Sequence, residues 1–252
     1  MSATSHYTGE SAAALSGTTA RGEDIVVRAE RASKIYQQDR IAVTALNAID
    51  LEIRKGDFAV LVGPSGSGKT TLLNLIGGLD TPTSGRILVG GTDLGSLSKS
   101  ARSRLRLRQI GFVFQEFNLI PVLSAIENVE FIMLLQGVAP PERRTRAMAL
   151  LAELGLGGLE GRRPNELSGG QQQRVAVARA LAAEPLIILP DEPTANLDSR
   201  AGAALMDMMR RLNEERTATF VFSTHDPMVV ERATRVIRLR DGQIEADERR
   251  SA

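Results

Sequence analysis

The residues with the clearest chemistry lie between Gly63 and Thr70 and read Gly-Pro-Ser-Gly-Ser-Gly-Lys-Thr. This spacing fits G-x-x-x-x-G-K-[ST], in which glycines let successive backbone N–H groups turn inward around an anion. Lys69 would reach the outer phosphates of a nucleotide as a point charge, and the Thr70 hydroxyl would bind Mg²⁺. A chance match in a chain of 252 residues is on the order of 1% at average glycine usage. We therefore expect nucleotide binding.

The segments on either side of this phosphate loop have the character that such a loop requires. The apolar run Phe58–Val62 does not alternate, which predicts a strand covered on both faces. The residues after Lys69 follow a helical pattern that ends at Gly77-Gly78, a glycine C-cap. A helix that begins in the loop adds the partial positive charge of its N-terminus to the anion site.

Two more predicted strands end in polar residues. Leu186–Leu189 precedes Asp191-Glu192, and Thr219–Phe222 precedes His225. Ligands bind at the carboxyl ends of strands in an open parallel sheet, so we expect these side chains to share one site with the phosphate loop. Asp191 suits a metal contact, either direct or through water. Glu192 is the candidate general base or orienter for an attacking water, and His225 is a candidate partner of the γ-phosphate, although a lone histidine is more often structural.

A second glycine turn, Leu167-Ser168-Gly169-Gly170-Gln171, opens another predicted helix. Its N–H groups and the Ser168 hydroxyl form a further potential anion site, and the simpler alternative is a plain N-cap. One nucleotide has no obvious use for two phosphate cradles. Gln115 follows the predicted strand Gly111–Phe114 and is a weaker candidate for the site at the strand ends.

Composition sets outer limits on function. The chain has a formal net charge of +1 and no cysteine, so global charge predicts no nucleic-acid partner and a disulfide framework is excluded. No apolar run approaches the length of a membrane span, and the N-terminus lacks the pattern of a secretory signal. We expect a cytosolic chain, unless a partner holds it at a membrane.

The remaining segments indicate how the fold is organised. Residues 1–22 are rich in small and polar side chains, so we expect a disordered tail. Alternation over Ile49–Ile53 predicts an antiparallel strand, and shorter strands are predicted over Ile25–Ala29 and Ser33–Tyr36. The block Ser124–Leu167 is mostly helical and interrupts the alternation of strands and helices, which indicates an inserted subdomain.

Two segments are dominated by charge or turn signals. Lys99–Arg108 carries five cationic residues and is interpreted as a solvated helix or loop face. Asp241-Gly242 lies between two predicted strands, which indicates a hairpin. The polar residues 248–252 are expected to form a frayed tail.

The order of these motifs resembles that of an ATP-binding cassette (ABC) ATPase domain, over about Ile25 to Ala246. The motifs that carry the resemblance are Gly63–Thr70, Gln115, Leu167–Gln171, Asp191-Glu192, Asn196-Leu197-Asp198 and His225. The resemblance implies an α/β fold of the P-loop NTPase type, with flanking helices on a mostly parallel core sheet and an N-terminal antiparallel β subdomain. It places the ATPase domain at residues 23–247, with an inserted α-helical subdomain at about 116–180.

In this family the turn at Leu167–Gln171 caps the ATP held by the opposite subunit. The resemblance therefore implies a head-to-tail homodimer that encloses two ATP molecules, although the sequence does not exclude a heterodimer. It also implies that Tyr36 stacks on adenine, that Gln115 senses the metal and couples to a membrane partner, and that Asp198 lies at the dimer interface.

The expected site has three overlapping sets of residues. The catalytic set is Lys69, Gln115, Glu192 and His225. The Mg²⁺ set is Thr70, Gln115 and Asp191. The ATP-binding set is Tyr36, Gly63, Pro64, Ser65, Gly66, Ser67, Gly68, Lys69, Thr70, Thr71, Ser168, Gly169, Gly170 and Gln171.

The function implied is that of an ATP-hydrolysing subunit that powers a permease on a separate chain, at the cytoplasmic face of the inner (plasma) membrane. Gly78–Gly85 and Asp191–Asp198 look most like the lipoprotein-releasing and macrolide-export group. Pro190 and Ala195 depart from the family pattern, in which a small residue, often alanine, is usual at position 190 and glycine is usual at position 195. Pro190 is expected to remove a ladder bond and to shift Asp191 at most.

Three alternatives have different sequence requirements. A regulatory, non-transporting ABC ATPase of the cell-division type would share every motif. A soluble ABC ATPase acting on DNA or ribosomes would need a long coiled-coil insertion or, usually, a second cassette, and neither is present. A small-molecule kinase would have no use for Leu167–Gln171.

Overall fold

A computed structural model describes residues 24–38 and 41–250 of the chain. The predicted tail at 1–22 lies outside the described residues. The strands within these ranges are β1 (Ile25–Gln38), β2 (Ile41–Arg54), β3 (Phe58–Val62), β4 (Ser84–Val89), β5 (Thr92–Asp93), β6 (Ile110–Val113), β7 (Ile187–Pro190), β8 (Phe220–Ser223), β9 (Arg235–Arg240) and β10 (Gln243–Arg249). The α-helices are α1 (Lys69–Ile76), α2 (Lys99–Gln109), α3 (Ala125–Leu135), α4 (Pro140–Glu153), α5 (Gly169–Ala182), α6 (Ser199–Arg216) and α7 (Pro227–Arg232).

The first sheet is antiparallel, with the order β2-β1-β4-β5. The two short strands predicted over 25–29 and 33–36 form one strand, β1, and that part of the prediction is wrong. The pairing register shifts between Ala29 and Ala32, and Arg31 has φ 45°. A β-bulge of this kind bends a strand without ending it, so the polar interruption in the sequence does not mark a boundary.

The second sheet has the order β10-β9-β3-β8-β7-β6. Strands β9, β3, β8, β7 and β6 run parallel, and only β10 is antiparallel to its neighbour. All five residues of β3 are buried, as the absence of alternation predicted. The predicted α/β class with a mostly parallel core sheet is confirmed, and the carboxyl ends of β3, β8, β7 and β6 lie side by side.

Three helices occupy the chain between β6 and β7. Helices α3, α4 and α5 pack on one another, and their buried side chains join the hydrophobic core under the second sheet. Ser124 caps α3 in a reciprocal pair with Glu127, and the buried Asn128 side chain bonds the backbone of Ile120. In the part of the chain that the structure describes, no helix is both long and apolar enough to cross a membrane.

The C-terminal strand extends further than predicted. Glu248 pairs with Val236 and Arg249 with Arg235 in β10, so the predicted frayed tail at 248–252 is wrong for those two residues. Arg235 contacts Asp247 at 2.6 Å, and Arg249 contacts Asp57 at 3.0 Å. The second of these pairs joins residues that are 192 positions apart, so the sequence of this polar segment did not indicate its order.

Candidate nucleotide-binding site

The phosphate loop connects β3 to α1, and its backbone requires glycine at two positions. Gly68 has φ 103°, and a Cβ there would lie 2.6 Å from the Ala45 carbonyl oxygen. A Cβ on Gly63 would lie 2.2 Å from the Leu239 carbonyl oxygen. Any larger residue at either place would push the loop away from its neighbours, so the glycine spacing has a steric cause.

The side chain of Lys69 folds back onto the start of the phosphate loop. Lys69 Nζ donates to the Gly63 carbonyl at 2.8 Å and to the Pro64 carbonyl at 3.0 Å. Ser67 Oγ is buried and has no hydrogen-bond partner among the residues that the structure describes. Thr70 is exposed in the first turn of α1. The loop thus concentrates an ammonium group and hydroxyl groups at one helix N-terminus, an arrangement suited to anions.

Asp191 lies at the end of β7, beside this loop. Its backbone N–H donates to the Val113 carbonyl of β6 at 2.9 Å. Burial raises the pKa of the Asp191 carboxyl, and the Glu192 carboxylate raises it further, whereas the Ser223 hydroxyl and Lys69 lower it in part. Asp191 Oδ1 is buried without a hydrogen-bond partner inside the described ranges. A carboxylate oxygen in that condition fits a cation.

Glu192 and His225 meet directly, although 33 positions separate them. Glu192 Oε1 lies 2.8 Å from His225 Nδ1, and Glu192 Oε2 accepts a bond of 2.8 Å from the Thr224 hydroxyl. The Glu192 backbone has φ 46°, and its N–H donates to the Ser223 carbonyl at 2.8 Å. The Glu192 side chain is 19% exposed and that of His225 80% exposed, so the pair has a buried end and an open end.

Thr224 is a residue of this site that the sequence reasoning missed. It is completely buried, and its hydroxyl also accepts from the Asp226 backbone N–H at 3.0 Å. Its only sequence signal is its place between a buried strand and His225. Which way a threonine points at a strand end depends on the pleat, and the sequence alone did not give that orientation.

Gln115 and Tyr36 lie at the edges of this site. Gln115 is exposed beyond β6, and its carbonyl accepts from Asn196 Nδ2 at 3.0 Å. The Tyr36 hydroxyl donates to Asp80 at 3.0 Å, and Lys34 Nζ lies 4.9 Å from the centre of its ring. Burial raises the pKa of the Tyr36 hydroxyl, and the bond to Asp80 adds to this effect. Tyr36 as a residue is 36% exposed, which leaves area for stacking.

The second glycine turn does cap a helix, as its simpler interpretation predicted. Ser168 Oγ accepts from the Gln171 N–H at 3.3 Å, and Gln171 Oε1 accepts from the Ser168 N–H at 2.8 Å. A polar groove of about 320 Å³ lies over this turn and is also lined by Arg174 and Asp198. No residue of the phosphate loop lines it; Gly63 and His225 line a different groove of about 550 Å³. The structure therefore does not bring the two cradles of one chain together.

Of the two departures from the family pattern, Ala195 is the simpler. Its N–H donates to the Glu192 carbonyl at 3.2 Å, and it is not among the residues with positive φ. The loop therefore needs no glycine there.

Among the described residues, no group of three or more histidine or acidic side chains forms a self-sufficient metal site.

Comparison with known proteins gives a consistent result. The family described as "ABC transporter" matches residues 46–195. An uncharacterised ABC transporter ATP-binding protein of Thermotoga maritima is 47% identical over 86% of this chain and 92% of its own. The lipoprotein-releasing system ATP-binding protein LolD of Anaeromyxobacter dehalogenans is 47% identical over 85% and 90%. The macrolide export ATP-binding/permease protein MacB of Syntrophobacter fumaroxidans is 48% identical, and this chain spans 30% of its length.

Among solved structures, the ATP-binding cassette MJ0796 is similar over its whole length. Its dimeric post-hydrolysis state, bound to ADP and Pi, superposes with a TM-score of 0.82 at 43% identity, over 90% of this chain and 99% of that one. MJ0796 belongs to Methanocaldococcus jannaschii. With the phosphate loop, the Glu192–His225 pair and the capped glycine turn in place, the chain belongs to the ABC transporter family, as one of its ATP-binding ATPase domains.

Proposed function

We propose that this chain binds Mg²⁺-ATP between two copies of itself and hydrolyses it to power a membrane permease on a separate chain. One observation supports the catalytic part of this proposal. The Glu192 carboxylate is held between His225 and Thr224 at the carboxyl ends of the parallel strands, where β3 leads into the phosphate loop. A carboxylate fixed by two hydrogen bonds beside a phosphate site is positioned to act on the water that attacks the γ-phosphate.

The nucleotide is bound by backbone and side-chain donors. The N–H groups of the loop from Gly63 to Thr71, other than that of Pro64, which has none, would surround the phosphates, and Lys69 would exchange its two carbonyl partners for phosphate oxygens. The exposed face of Tyr36 stacks on adenine. We therefore assign the ATP-binding role to the phosphate loop.

The donor set fits a magnesium ion. Mg²⁺ in phosphate sites takes one or two carboxylates and completes its shell with phosphate and water oxygens. Asp191 Oδ1 is buried and unpartnered within the described part of the chain, and Thr70 and Gln115 supply further oxygens. When bound, the ion neutralises charge on the phosphates.

Glu192 and His225 divide the remaining work. Glu192 orients the attacking water and accepts its proton. The contact between His225 Nδ1 and Glu192 leaves Nε2 of the same ring for the γ-phosphate, to which it would donate when the ring carries a proton on both nitrogens. The side chain of His225 is 80% exposed and lines the groove beside Gly63 and Pro64, which supports this role.

The phosphate loop and the glycine turn at Ser168 lie apart in one chain, and a second copy of the chain can bring them to the same nucleotide. Ser168 and its N–H neighbours lie in a groove that the phosphate loop does not reach, so they serve a nucleotide held elsewhere. MJ0796 is described as a dimeric cassette. We infer that two copies of this chain pair head to tail, so that each ATP is enclosed by the phosphate loop of one copy and Ser168 of the other.

The permease side of the molecule is an apolar groove between α2, β6, α3 and α5. It has a volume of about 410 Å³. Its apolar lining includes Leu79, Leu107, Phe114, Ile120, Phe131 and Ile132. An apolar helix of a membrane partner fits such a groove. We assign about 116–180 to the helical subdomain that forms one wall, and we place the subunit at the cytoplasmic face of the inner membrane.

The similarity to LolD and MacB favours lipoprotein release or macrolide export over a regulatory role of the cell-division type. Reconstitution with the permease that copurifies with this chain would separate these functions, because only a transporter moves a substrate across or out of the membrane.

The dimer is tested with two substitutions in the full chain. Glu192→Gln should retain ATP binding, hydrolyse ATP at least 100-fold more slowly and accumulate as an ATP-bound dimer in size-exclusion chromatography with light scattering. Ser168→Asp, added to that variant, keeps an N-cap residue but faces the γ-phosphate with a like charge, so the dimer should disappear. Ser98→Asp makes the same change at the cap of α2 and should leave the dimer intact. Normal dimerisation of the Ser168→Asp variant would refute the shared site.

A further inference from the structure

Helix α5 lies against the loop that follows the catalytic carboxylate. A Cβ on Gly169, in its first turn, would sit 3.6 Å from the Asn196 carbonyl oxygen and 3.7 Å from Leu197 Cδ2. These are ordinary van der Waals distances, so the helix start packs directly on this loop. Asn196 in turn donates to the Gln115 carbonyl. The start of α5 and the loop after Glu192 therefore form one contiguous unit within a single chain.

Gln173 makes the polar contact between α5 and this loop. Its side chain is completely buried, and its Nε2 donates to the Pro193 carbonyl at 3.0 Å. Pro193 directly follows Glu192, whose backbone is left-handed at φ 46°. A non-glycine residue keeps that conformation only where its surroundings hold it. The bond to the Pro193 carbonyl holds the peptide between Pro193 and Thr194, one residue beyond the peptide that joins Glu192 to Pro193, and so restrains the residue that follows Glu192.

Burying the side-chain amide of Gln173 is energetically unfavourable, and the need to fill space does not explain why an amide is present there. Its Oε1 is buried and has no hydrogen-bond partner in the part of the chain that the structure describes. A buried polar atom without a partner is unfavourable, and a methionine of the same shape would avoid that cost. The amide therefore contributes through its N–H bond to Pro193 rather than by filling space.

We propose that Gln173 is a positioning residue that makes Glu192, in one ATP site, depend on what binds at Ser168, in the other. The inference rests on the proposed function, in which Ser168 meets the nucleotide of the partner subunit. Gln173 follows Ser168 by five residues, about 7.5 Å along the same helix. A rigid helix turn moves as a unit, so a shift of Ser168 on contact with phosphate reaches the Pro193 carbonyl through Gln173.

The test is Gln173→Met in the full chain, with Gln172→Met as the matched control. Gln172 donates to the Leu167 carbonyl at 3.1 Å, at its own helix start. Steady-state ATP hydrolysis is measured against ATP concentration. We expect Gln173→Met to lower kcat about 10-fold, to leave KM for ATP within about 2-fold, and to reduce the Hill coefficient from above 1 to near 1. Gln172→Met should match the parent.

The KM and Hill readings separate positioning from damage. A kcat loss with an unchanged Hill coefficient would reduce Gln173 to a local structural residue, and an unchanged kcat, or a parent Hill coefficient of 1, would also overturn the inference. The proposed function is judged on the parent chain alone, by its ATP hydrolysis, and on ATP-driven dimerisation in the Glu192→Gln background. If both are present while Gln173→Met behaves as the parent, only the link between the sites is refuted.

Discussion

Replacing Thr224 by valine tests whether the placement of Glu192 limits catalysis. Valine keeps the shape of the buried threonine and removes its hydroxyl. Two bonds are lost: the 2.8 Å donation to Glu192 Oε2 and the 3.0 Å acceptance from the Asp226 N–H. Thr224 belongs neither to the phosphate loop nor to the adenine platform, so ATP binding should be unaffected.

The size of the effect follows from the kind of bond that is lost. A hydrogen bond to a charged group is worth about 1.5–3 kcal/mol, and each 1.36 kcal/mol in a barrier changes a rate about 10-fold. If the whole bond were needed in the transition state, kcat would fall about 10- to 150-fold. Glu192 keeps its contact with His225 and its backbone bond to the Ser223 carbonyl. We therefore expect the lower end, about 10-fold, with KM for ATP unchanged.

A matched control separates catalysis from stability. Thr219 is also buried, and its hydroxyl accepts from the Gly56 N–H at 3.0 Å, at the opposite end of β8. Thr219→Val also leaves a backbone N–H without a partner, at a cost of about 1–3 kcal/mol in the free energy of unfolding. Both variants should melt earlier than the parent, but only Thr224→Val should lose kcat. Equal turnover in the two variants, measured by phosphate release well below both melting temperatures, would refute the positioning role.

Two further predictions concern the permease face and the C-terminal strand. Ile132→Glu puts a charge into the apolar groove and should abolish copurification with the permease. ATP-driven dimerisation in the Glu192→Gln background should persist. The control is Met148→Glu, because Met148 is exposed on α4 and does not line the groove. Hydrogen bonds from Arg235 lower the pKa of Asp247, so this carboxylate stabilises the fold above the ordinary pKa of aspartate and loses that contribution as pH falls through its lowered value. Asp247→Asn should therefore cost about 1–2 kcal/mol at neutral pH, discounted for partial exposure, and flatten the acid side of the stability curve in denaturant titrations. An unchanged acid profile would show that the pair with Arg235 does not contribute.

The parts of the site that the sequence could predict are those set by neighbours along the chain. Spacing alone predicts the phosphate loop, because its glycines, Lys69 and the helix start are consecutive. That Glu192 and His225 share one site with the phosphate loop was predicted more weakly, from the rule that ligands bind where parallel strands end, and their direct contact was not predicted. That rule needed β7 and β8 to be adjacent, and the sheet order confirms it.

What the sequence could not predict depends on the rotation of side chains at element ends. Thr224 and Gln173 reach backbone or carboxylate atoms 32 and 20 positions away. Their residue types are common at strand ends and in helices, and no local pattern distinguishes them. The ordered end of β10 was missed for a related reason, since Asp57 is far from Arg249 in sequence and only the fold brings their charges together.

Pro190 changes the backbone hydrogen bonding between β7 and β8, close to Glu192. Along β7, alternate N–H groups donate to β8: Ile188 donates to the Thr219 carbonyl and Glu192 to the Ser223 carbonyl, both at 2.8 Å. By that alternation the missing N–H of Pro190 is the bond between them, so the ladder with β8 is interrupted one step before the carboxylate. The opposite edge is intact, because Asp191 still donates to Val113. Glu192 keeps its own backbone bond to Ser223, so the missing bond lies two residues before it, and the bonds of its side chain to Thr224 and His225 add to the restraint that its backbone provides.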